Sequence, residues 1–342
     1  MTFRIKQPTH TAEQNTNSIL RVRSTLVLII IISSLVRCMP PAEPINNAES
    51  TATQRPITTA MEIASSTTVI ASASPVIPTD TSTPPVAPVV FVGAGDIASC
   101  DSDNDELTAQ LLDSIEGTVF TTGDNTYNDG AYNQFIECYD PTWGRHKDRT
   151  KPVPGNHDYQ TEGAEGYFRY FDNISSYYAY DLGSWRIYAL NSEIDDSAES
   201  AQVAWLQADL TANPRRCVLA YWHAPRWSSG AVHGSDRTVR FLWRTFHEAG
   251  AELVVNGHEH NYERFAPMNA MGEADPLGLR EIVVGTGGKG HYEFSTPLPA
   301  SEVRDDTTYG VLKLTLYPTA YDWEFIPVAG ATFTDSGSTD CH

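Results

Sequence analysis

Five short polar motifs occur along this chain of 342 residues, and each directly follows a run with strand character. In an open α/β sheet, ligand-binding groups gather beyond the carboxyl ends of the strands, so motifs far apart in sequence can meet at one crevice. This constraint favours folds in which several strands end at a common site. The motifs are Gly-Asp-Ile-Ala (95–98), Gly-Asp-Asn-Thr-Tyr (123–127), Gly-Asn-His-Asp (155–158), Tyr-Trp-His-Ala-Pro (221–225) and Gly-His-Glu-His (257–260).

The motifs supply carboxylate, phenol, amide and imidazole groups, which are common metal ligands in proteins. A carboxylate shared by two cations holds them roughly 3.5 to 4 Å apart, where they can polarise a bridging water. The pattern therefore predicts a centre for two metal ions. The predicted ligands are Asp96, Asp124, Tyr127, Asn156, His223, His258 and His260. For Tyr127 the alternative is an ordinary half-buried tyrosine at a strand end.

The ordered motifs resemble those of the calcineurin-like metallophosphoesterase superfamily and, within it, the purple acid phosphatase branch. The resemblance runs from about Val89 to the C-terminus and implies an α/β fold, a four-layer α/β/β/α sandwich with the metal site at the C-terminal ends of the strands. Most of the superfamily has Asp-x-His in the opening motif. Here Ala98 occupies the histidine position, and Tyr127 follows Asp124 by three residues. That exchange is typical of the purple acid phosphatase branch.

The resemblance also implies how the ligands divide between the two ions. Asp96, Asp124, Tyr127 and His260 would bind one ion. Asp124, Asn156, His223 and His258 would bind the other, with Asp124 bridging. A phenolate favours a trivalent, oxygen-preferring ion, whereas imidazole, amide and carboxylate suit Zn, Mn or Fe(II). We therefore expect Fe(III) paired with one of these divalent ions.

Three further residues are candidates for contact with the substrate. His157 follows Asn156, and adjacent side chains of an extended segment point in opposite directions, so we assign His157 to the substrate. It would stabilise the transition state or protonate the leaving group, with Asp158 orienting its imidazole. His233 lies in a predicted loop over the site and is either a phosphate contact or a plain loop residue. The segment Asn261–Arg264 is either support for the site or a surface turn.

The expected reaction is hydrolysis of a small phosphate monoester by in-line attack of a metal-bridging hydroxide. A phosphodiesterase acting on nucleotides or glycerophosphodiesters, with the same centre, is the first alternative. The second is a surface module that binds metal or ligand without turnover. The chain has 23 basic and 43 acidic residues and a net charge of −20, so long nucleic acid is not an expected partner.

The N-terminal 38 residues resemble an export segment. Arg21 and Arg23 precede a short apolar stretch that fits a signal sequence, and Cys38 closes it in a lipobox-like context with Arg37 before the cysteine. Two interpretations are open: lipid attachment at Cys38, or an ordinary signal peptide or uncleaved N-terminal anchor. Residues 39–88 are rich in Ser, Thr and Pro and predict a disordered linker. Residues 89–342 form the predicted catalytic domain, which would be extracytoplasmic and secreted or membrane-tethered.

Four cysteines follow Cys38, and an even number is typical of disulfides in an oxidising compartment. Of the three pairings we favour Cys100 with Cys138, because both follow consecutive motif-bearing strands, and Cys217 with Cys341, which would fix the C-terminal tail. The alternative is four unrelated buried thiols.

Sequence periodicity predicts helices over Glu106–Ile115, Ala201–Leu210 and Val239–Ala249, between the motif-bearing strands. Hairpins are predicted over Tyr177–Leu190, around Gly183, and over Val311–Phe325, around Pro318. Alternating strands and helices followed by hairpins fit the four-layer sandwich.

Overall fold

The computed structural model describes residues 86–342. The predicted export segment (1–38) and residues 39–85 of the predicted linker lie outside this range, and the domain boundary at Val89 stays a prediction. Within the described range, no helix combines the length and the apolar character needed to cross a membrane. The strands are β1 (Val89–Ala94), β2 (Ala98–Ser99), β3 (Thr118–Thr122), β4 (Thr126–Tyr127), β5 (Thr150–Val153), β6 (Tyr178–Leu182), β7 (Trp185–Ala189), β8 (Val218–Tyr221), β9 (Leu253–Asn256), β10 (Tyr262–Phe265), β11 (Arg280–Val284), β12 (Ser301–Asp305), β13 (Gly310–Leu316), β14 (Ala320–Pro327) and β15 (Ser336–Asp340).

Helices alternate with the strands in the first two thirds of this region. Ser200 caps one of them, because its hydroxyl accepts a hydrogen bond of 3.1 Å from the Val203 N–H. The α-helices are α1 (Asn104–Ser114), α2 (Tyr132–Gln134), α3 (Glu165–Tyr170), α4 (Ala201–Ala212) and α5 (Arg240–Glu248); a π-helical turn covers Phe135–Tyr139, and 3-10 turns cover Trp143–Arg149, Asp158–Gln160 and Glu162–Ala164. The three predicted helices are confirmed as α1, α4 and α5, and the two predicted hairpins as β6–β7 and β13–β14.

Two mixed sheets form the centre of the fold. The first has the order β15-β14-β13-β1-β3-β5, and the second has the order β12-β10-β11-β9-β8-β7-β6. The strands β1, β3 and β5 are parallel, as are β7, β8, β9 and β11, while the antiparallel strands lie toward the sheet edges. Parallel strands are covered on both faces, which explains the unbroken apolar runs that precede the motifs.

Side-chain alternation along β8 places the second sheet between two layers. Leu219 and Tyr221 belong to the core between the sheets, where the Tyr221 ring lies 5.6 Å from the Phe91 ring of β1. Ala220 and Trp222 face the other way and pack with α4 and α5. On the first sheet, α1 packs through Ala109 and Leu112. The layers are helix, sheet, sheet and helix, so the predicted four-layer α/β/β/α sandwich is confirmed.

Two disulfides connect segments that are distant in sequence. Cys100 pairs with Cys138, and Cys217 pairs with Cys341. These are the favoured pairings from the sequence. The second bond joins the start of β8 in one sheet to the end of β15 in the other, and His342 Nδ1 lies 2.8 Å from a Glu252 carboxylate oxygen. Such bonds are typical of an oxidising compartment.

Candidate metal centre

The five motifs meet because each follows the carboxyl end of a parallel strand. Asp96 follows β1, Asp124 follows β3, and Asn156 follows β5 in the first sheet. His223 and His258 follow β8 and β9 in the second sheet. The candidate site therefore lies where the carboxyl ends of the two sheets adjoin, which is the expected position for a ligand site in an α/β fold.

One group of donors surrounds the Tyr127 hydroxyl. Its oxygen lies 2.9 Å from Asp96 Oδ1, 2.9 Å from Asp124 Oδ2 and 3.1 Å from His260 Nε2. All four side chains are buried. One hydroxyl proton can serve only one of these acceptors, so the cluster holds more lone pairs than protons.

A second group surrounds His223 Nε2. This atom lies 3.0 Å from the Asn156 amide oxygen, 3.0 Å from His258 Nδ1 and 3.4 Å from Asp124 Oδ1. Asp124 therefore faces both groups, with Oδ2 toward Tyr127 and Oδ1 toward His223. This arrangement suits a carboxylate that bridges two ions.

The histidine tautomers show which nitrogens face the centre. His223 Nδ1 lies 2.8 Å from the Thr122 carbonyl oxygen, and His260 Nδ1 lies 2.7 Å from the Gly290 carbonyl oxygen. A carbonyl can only accept, so each Nδ1 carries a proton, and each ring in its neutral form presents the Nε2 lone pair to the cluster. Converging lone pairs repel one another unless a cation lies between them. The residues present therefore fit metal ions.

The electrostatics of the cluster agree with this conclusion. Burial alone would lower the pKa of His223, but the Asp124 carboxylate outweighs burial and raises the pKa to about 10. Burial opposes ionisation of Asp124 too, yet His223 and His157 hold its pKa below the ordinary value. The site thus favours positive charge. Ligand atoms of Asp96, Asp124 and His223 lie within 4.8 Å of one another, so the two donor groups adjoin at Asp124.

The backbone at the site is held in uncommon conformations. Asp96, Asp124 and His258 have φ angles of 60°, 49° and 72°, in the left-handed region that non-glycine residues rarely adopt. Glycine is required nearby, since a Cβ on Gly257 would lie 2.6 Å from Asp96 Oδ2. The His258 N–H donates a 2.8 Å hydrogen bond to that same oxygen, which orients the carboxylate.

His157 lies at the mouth of the site. Its side chain is 31% exposed, and Nε2 lies 4.0 Å from Asp124 Oδ2. Its Nδ1 contacts the Asn128 carbonyl oxygen. The position suits contact with a substrate rather than a metal ion.

The predicted role of Asp158 is wrong. Its carboxylate is fully buried and does not orient His157; Oδ2 accepts hydrogen bonds of 2.9 Å from the Gly155 N–H and 2.9 Å from the Asn125 side chain. The physical reason is local. His157 has helical φ and ψ angles of −72° and −35°, so the chain has already begun to turn and Asp158 points back at the turn. Asp158 stabilises the turn that presents Asn156.

The His233 loop reaches the centre. The His233 ring stacks on His258 with ring centroids 4.0 Å apart. The loop is held by Glu259, a fully buried residue between the two histidines of the fifth motif. The Glu259 carboxylate accepts hydrogen bonds from the N–H groups of His233, at 2.6 Å, and Gly234.

Two further buried carboxylates hold the same loop: Glu263, within the segment Asn261–Arg264 that the sequence left open as a support, and Glu281, which the sequence does not indicate. Glu263 accepts from the Ser229 N–H at 2.7 Å, and Glu281 accepts from the N–H groups of Arg226 and Trp227 at 2.8 and 3.0 Å. Burial raises the pKa of both carboxyl groups. Asn261–Arg264 is buried, so it supports the site and is not a surface turn.

The two sheets and the converging donor groups define an α/β protein with a candidate metal centre. Residues 89–262 match the family model described as calcineurin-like phosphoesterase, over about half of the chain. The chain belongs to the calcineurin-like phosphoesterase family. The similarities that follow agree with the purple acid phosphatase-like branch predicted from Tyr127.

Two relatives from Arabidopsis thaliana are purple acid phosphatases. Purple acid phosphatase 21 is 28% identical over 254 residues, covering 66% of this chain and 57% of that protein. Purple acid phosphatase 22 is 28% identical over 262 residues, covering 68% and 59%. The chain thus spans less than two thirds of the length of these curated relatives. The structure of purple acid phosphatase PPD1 from yellow lupin (Lupinus luteus) superposes with a TM-score of 0.61 at 18% identity, covering 74% of this chain and 54% of that one. That likeness concerns the fold.

Proposed function

We propose that this protein is a two-metal phosphoesterase that hydrolyses small phosphate monoesters. The observation that carries the proposal is the position of Asp124, whose two oxygens face two separate donor groups. Two cations bound there would activate water and neutralise charge on the phosphoryl group. Such a reaction requires a bridging ligand with donors on both sides, and the positions of Tyr127 and His223 on either side of Asp124 support this proposal.

The chain's own residues would then position the substrate. His157, partly exposed at the mouth and fixed at Nδ1 by the Asn128 carbonyl, presents Nε2 toward the site, and its imidazolium form can donate the Nε2 proton to the leaving group. His233 would contact a phosphate oxygen from the loop held by Glu259. Asp158 would act only through the turn that carries Asn156.

For the metals we propose Fe(III) on the Tyr127 side and Zn, Mn or Fe(II) on the His223 side. The support is chemical. Tyr127, Asp96 and Asp124 offer hard oxygen donors to the first ion, whereas His223, His258 and Asn156 offer a mixed set to the second.

We further propose that the protein acts outside the cytoplasm, secreted or tethered at Cys38. Two disulfides, Cys100–Cys138 and Cys217–Cys341, support an oxidising compartment. The expected partner is a small phosphorylated substrate, and an acidic chain gives long nucleic acid no electrostatic advantage.

The test compares p-nitrophenyl phosphate with bis-p-nitrophenyl phosphate as substrates of the metal-loaded protein, with metal content measured in parallel. We expect a higher kcat/KM for the monoester. His258→Ala should abolish turnover, and His247→Gln, on α5, serves as the matched control. A higher kcat/KM for the diester would favour a phosphodiesterase, and no turnover of either with two ions bound would favour a binding module.

A further inference from the structure

Lys289 lies in the glycine-rich loop that follows β11. Its N–H donates a 2.9 Å hydrogen bond to the Asp96 carbonyl oxygen, and the carbonyl of the next residue, Gly290, lies 2.7 Å from His260 Nδ1. The main chain of Lys289 is therefore fixed beside two candidate metal ligands. Its side chain starts from a defined position at the edge of the site.

The Lys289 ammonium lies over Tyr127. Nζ is 4.6 Å from the centroid of the Tyr127 ring, 3.3 Å from Ser99 Oγ and 3.5 Å from Asn128 Oδ1. The hydroxyl of Tyr127 belongs to the first donor group, so the ammonium over the Tyr127 ring lies beside that group. Asn128 is exposed and also contacts His157 through its carbonyl oxygen. Lys289 and His157 thus adjoin the same exposed residue at the mouth.

The two hydrogen-bond partners of this lysine, Ser99 and Asn128, are neutral. Lys147 and Lys313, elsewhere in the fold, pair with Asp172 at 2.9 Å and with Glu324 at 3.0 Å. For Lys289, no carboxylate oxygen of residues 86–342 lies within 4.0 Å of Nζ. In a chain with 43 acidic and 23 basic residues, a half-buried ammonium without a carboxylate partner is available to an incoming anion.

We propose that Lys289 binds the phosphoryl group of the substrate and selects dianionic monoesters over monoanionic diesters. The inference rests on the proposed phosphoesterase function. A monoester dianion carries one more anionic oxygen than a diester, so a fixed ammonium beside the centre stabilises it more. The alkylated oxygen of a diester offers that ammonium no negative charge. Lys289 is thus a specificity-determining residue that contacts substrate without binding metal.

The experiment compares wild-type protein with Lys289→Gln, Lys289→Arg and Lys313→Gln. The last is the matched control, because it removes the same charge from the first sheet, away from the site. Three quantities are measured: metal content, kcat/KM for p-nitrophenyl phosphate and its bis ester, and affinity of the metal-loaded protein for inorganic phosphate by calorimetry. Lys289→Gln should lower kcat/KM for the monoester about tenfold or more, the effect of one charge-assisted hydrogen bond, and should lower it less for the diester.

The same variant should weaken phosphate binding to a similar extent and leave metal content unchanged. Lys289→Arg should restore most of the monoester preference, and Lys313→Gln should match wild type. The proposal would be overturned if Lys289→Gln left the ratio of kcat/KM for the monoester to kcat/KM for the diester unchanged, whether both values fell equally or neither changed. Loss of metal from Lys289→Gln would also overturn it, because Lys289 would then position the centre.

Failure of the proposed function gives a different result. If metal-loaded wild type hydrolyses neither ester, the phosphate titration decides the inference alone. Weaker phosphate binding by Lys289→Gln than by Lys313→Gln would support an anion site at Lys289. Equal binding by the two variants, or no phosphate binding by wild type, would reject it.

Discussion

The Tyr127 hydroxyl and the Asp124 carboxylate are three residues apart in sequence, and their oxygens lie 2.9 Å apart. The short strand β4 carries Tyr127 and pairs with β2, which directly follows the loop of Asp96. This pairing brings the phenol over both carboxylates. The other oxygen of Asp124 faces His223 at 3.4 Å, so one carboxylate connects the two donor groups.

Replacing Asp124 by Asn tests this connection. The change removes the bridging charge but preserves shape, and we expect kcat to fall at least about 100-fold, as for loss of a preorganised electrostatic contact. Steady-state kinetics with p-nitrophenyl phosphate and metal analysis measure the effect. Asp129→Asn, exposed in the same segment, is the control. Near wild-type kcat with two ions bound would rule out a bridging Asp124.

Tyr127→Phe tests the identity of the first ion. Burial and the neighbouring carboxylates raise the pKa of Tyr127 well above its ordinary value, so ionisation of the phenol requires a bound cation. We expect iron-loaded wild type to show a visible charge-transfer band that Tyr127→Phe lacks. Tyr292→Phe should keep the band, because Tyr292 stacks on His260 with ring centroids 3.8 Å apart and lies outside the donor group. An active, colourless, iron-free enzyme would contradict Fe(III) at this position.

Removal of the metals should lower stability. The lone pairs of His223, His260 and Asp124 converge in a buried site, and ions that bind only the folded state stabilise it by about 4 kcal/mol at a thousandfold excess over Kd. Thermal unfolding of chelator-treated protein, before and after metal is restored, measures this effect. Asp124→Asn should respond less to metal. Equal melting temperatures with and without metal would contradict the site.

The motifs and the sandwich could be predicted from the sequence because the relevant signals are local. Each metal-ligand motif directly follows an apolar run, and in a parallel sheet the ends of such runs meet. The branch of the family could also be predicted from local residues, because Ala98 stands at the usual histidine position and Tyr127 follows Asp124 by three residues. The order of the preceding strands favoured the pairing of Cys100 with Cys138, and the fixing of the C-terminal tail favoured the pairing of Cys217 with Cys341.

The roles of Glu281 and Lys289 could not be predicted, because they depend on contacts between distant loops. Glu281 holds the N–H of Arg226 across 55 positions of sequence, and Lys289 Nζ reaches Asn128 across 161. The helix and strand periodicity of the sequence does not indicate such contacts. The predicted role of Asp158 is wrong for a local reason. The prediction assumes an extended chain at His157, but the chain turns there and directs the Asp158 carboxylate to the Gly155 N–H.

Asp105 gives the fold a pH dependence outside the metal site. This buried carboxyl, in the first turn of α1, accepts a 2.6 Å hydrogen bond from Thr142, and burial raises its pKa from 3.8 to about 6. The folded state therefore binds the proton more tightly than the unfolded state. Protonated Asp105 stabilises the folded state fully below about pH 4. As pH rises through about 6 this stabilisation is lost, and the free energy of unfolding falls by on the order of 1 to 2 kcal/mol.

Urea unfolding of wild type and Asp105→Asn from pH 4 to pH 7 measures this dependence. Asn keeps the acceptor for Thr142 and does not titrate. Wild type should lose stability relative to Asp105→Asn as pH rises over this interval. Asp101→Asn, exposed in the preceding loop, should parallel wild type. Parallel curves for wild type and Asp105→Asn would contradict the raised pKa.

A chain that begins at Val89 should fold and keep its activity. Val89 is the first residue of β1 and pairs with Leu316 of β13, so this truncation keeps every registered pair of the first sheet. Its melting temperature should lie within about 2 °C of the full chain, which corresponds to less than about 1 kcal/mol for a domain of this size. A chain that begins at Gly95 is the contrasting variant. It lacks β1, the strand between β13 and β3, and should not fold because Phe91 and Val92 leave the core. A lower melting temperature or lost activity in the Val89 chain would mean that residues before it pack on the domain.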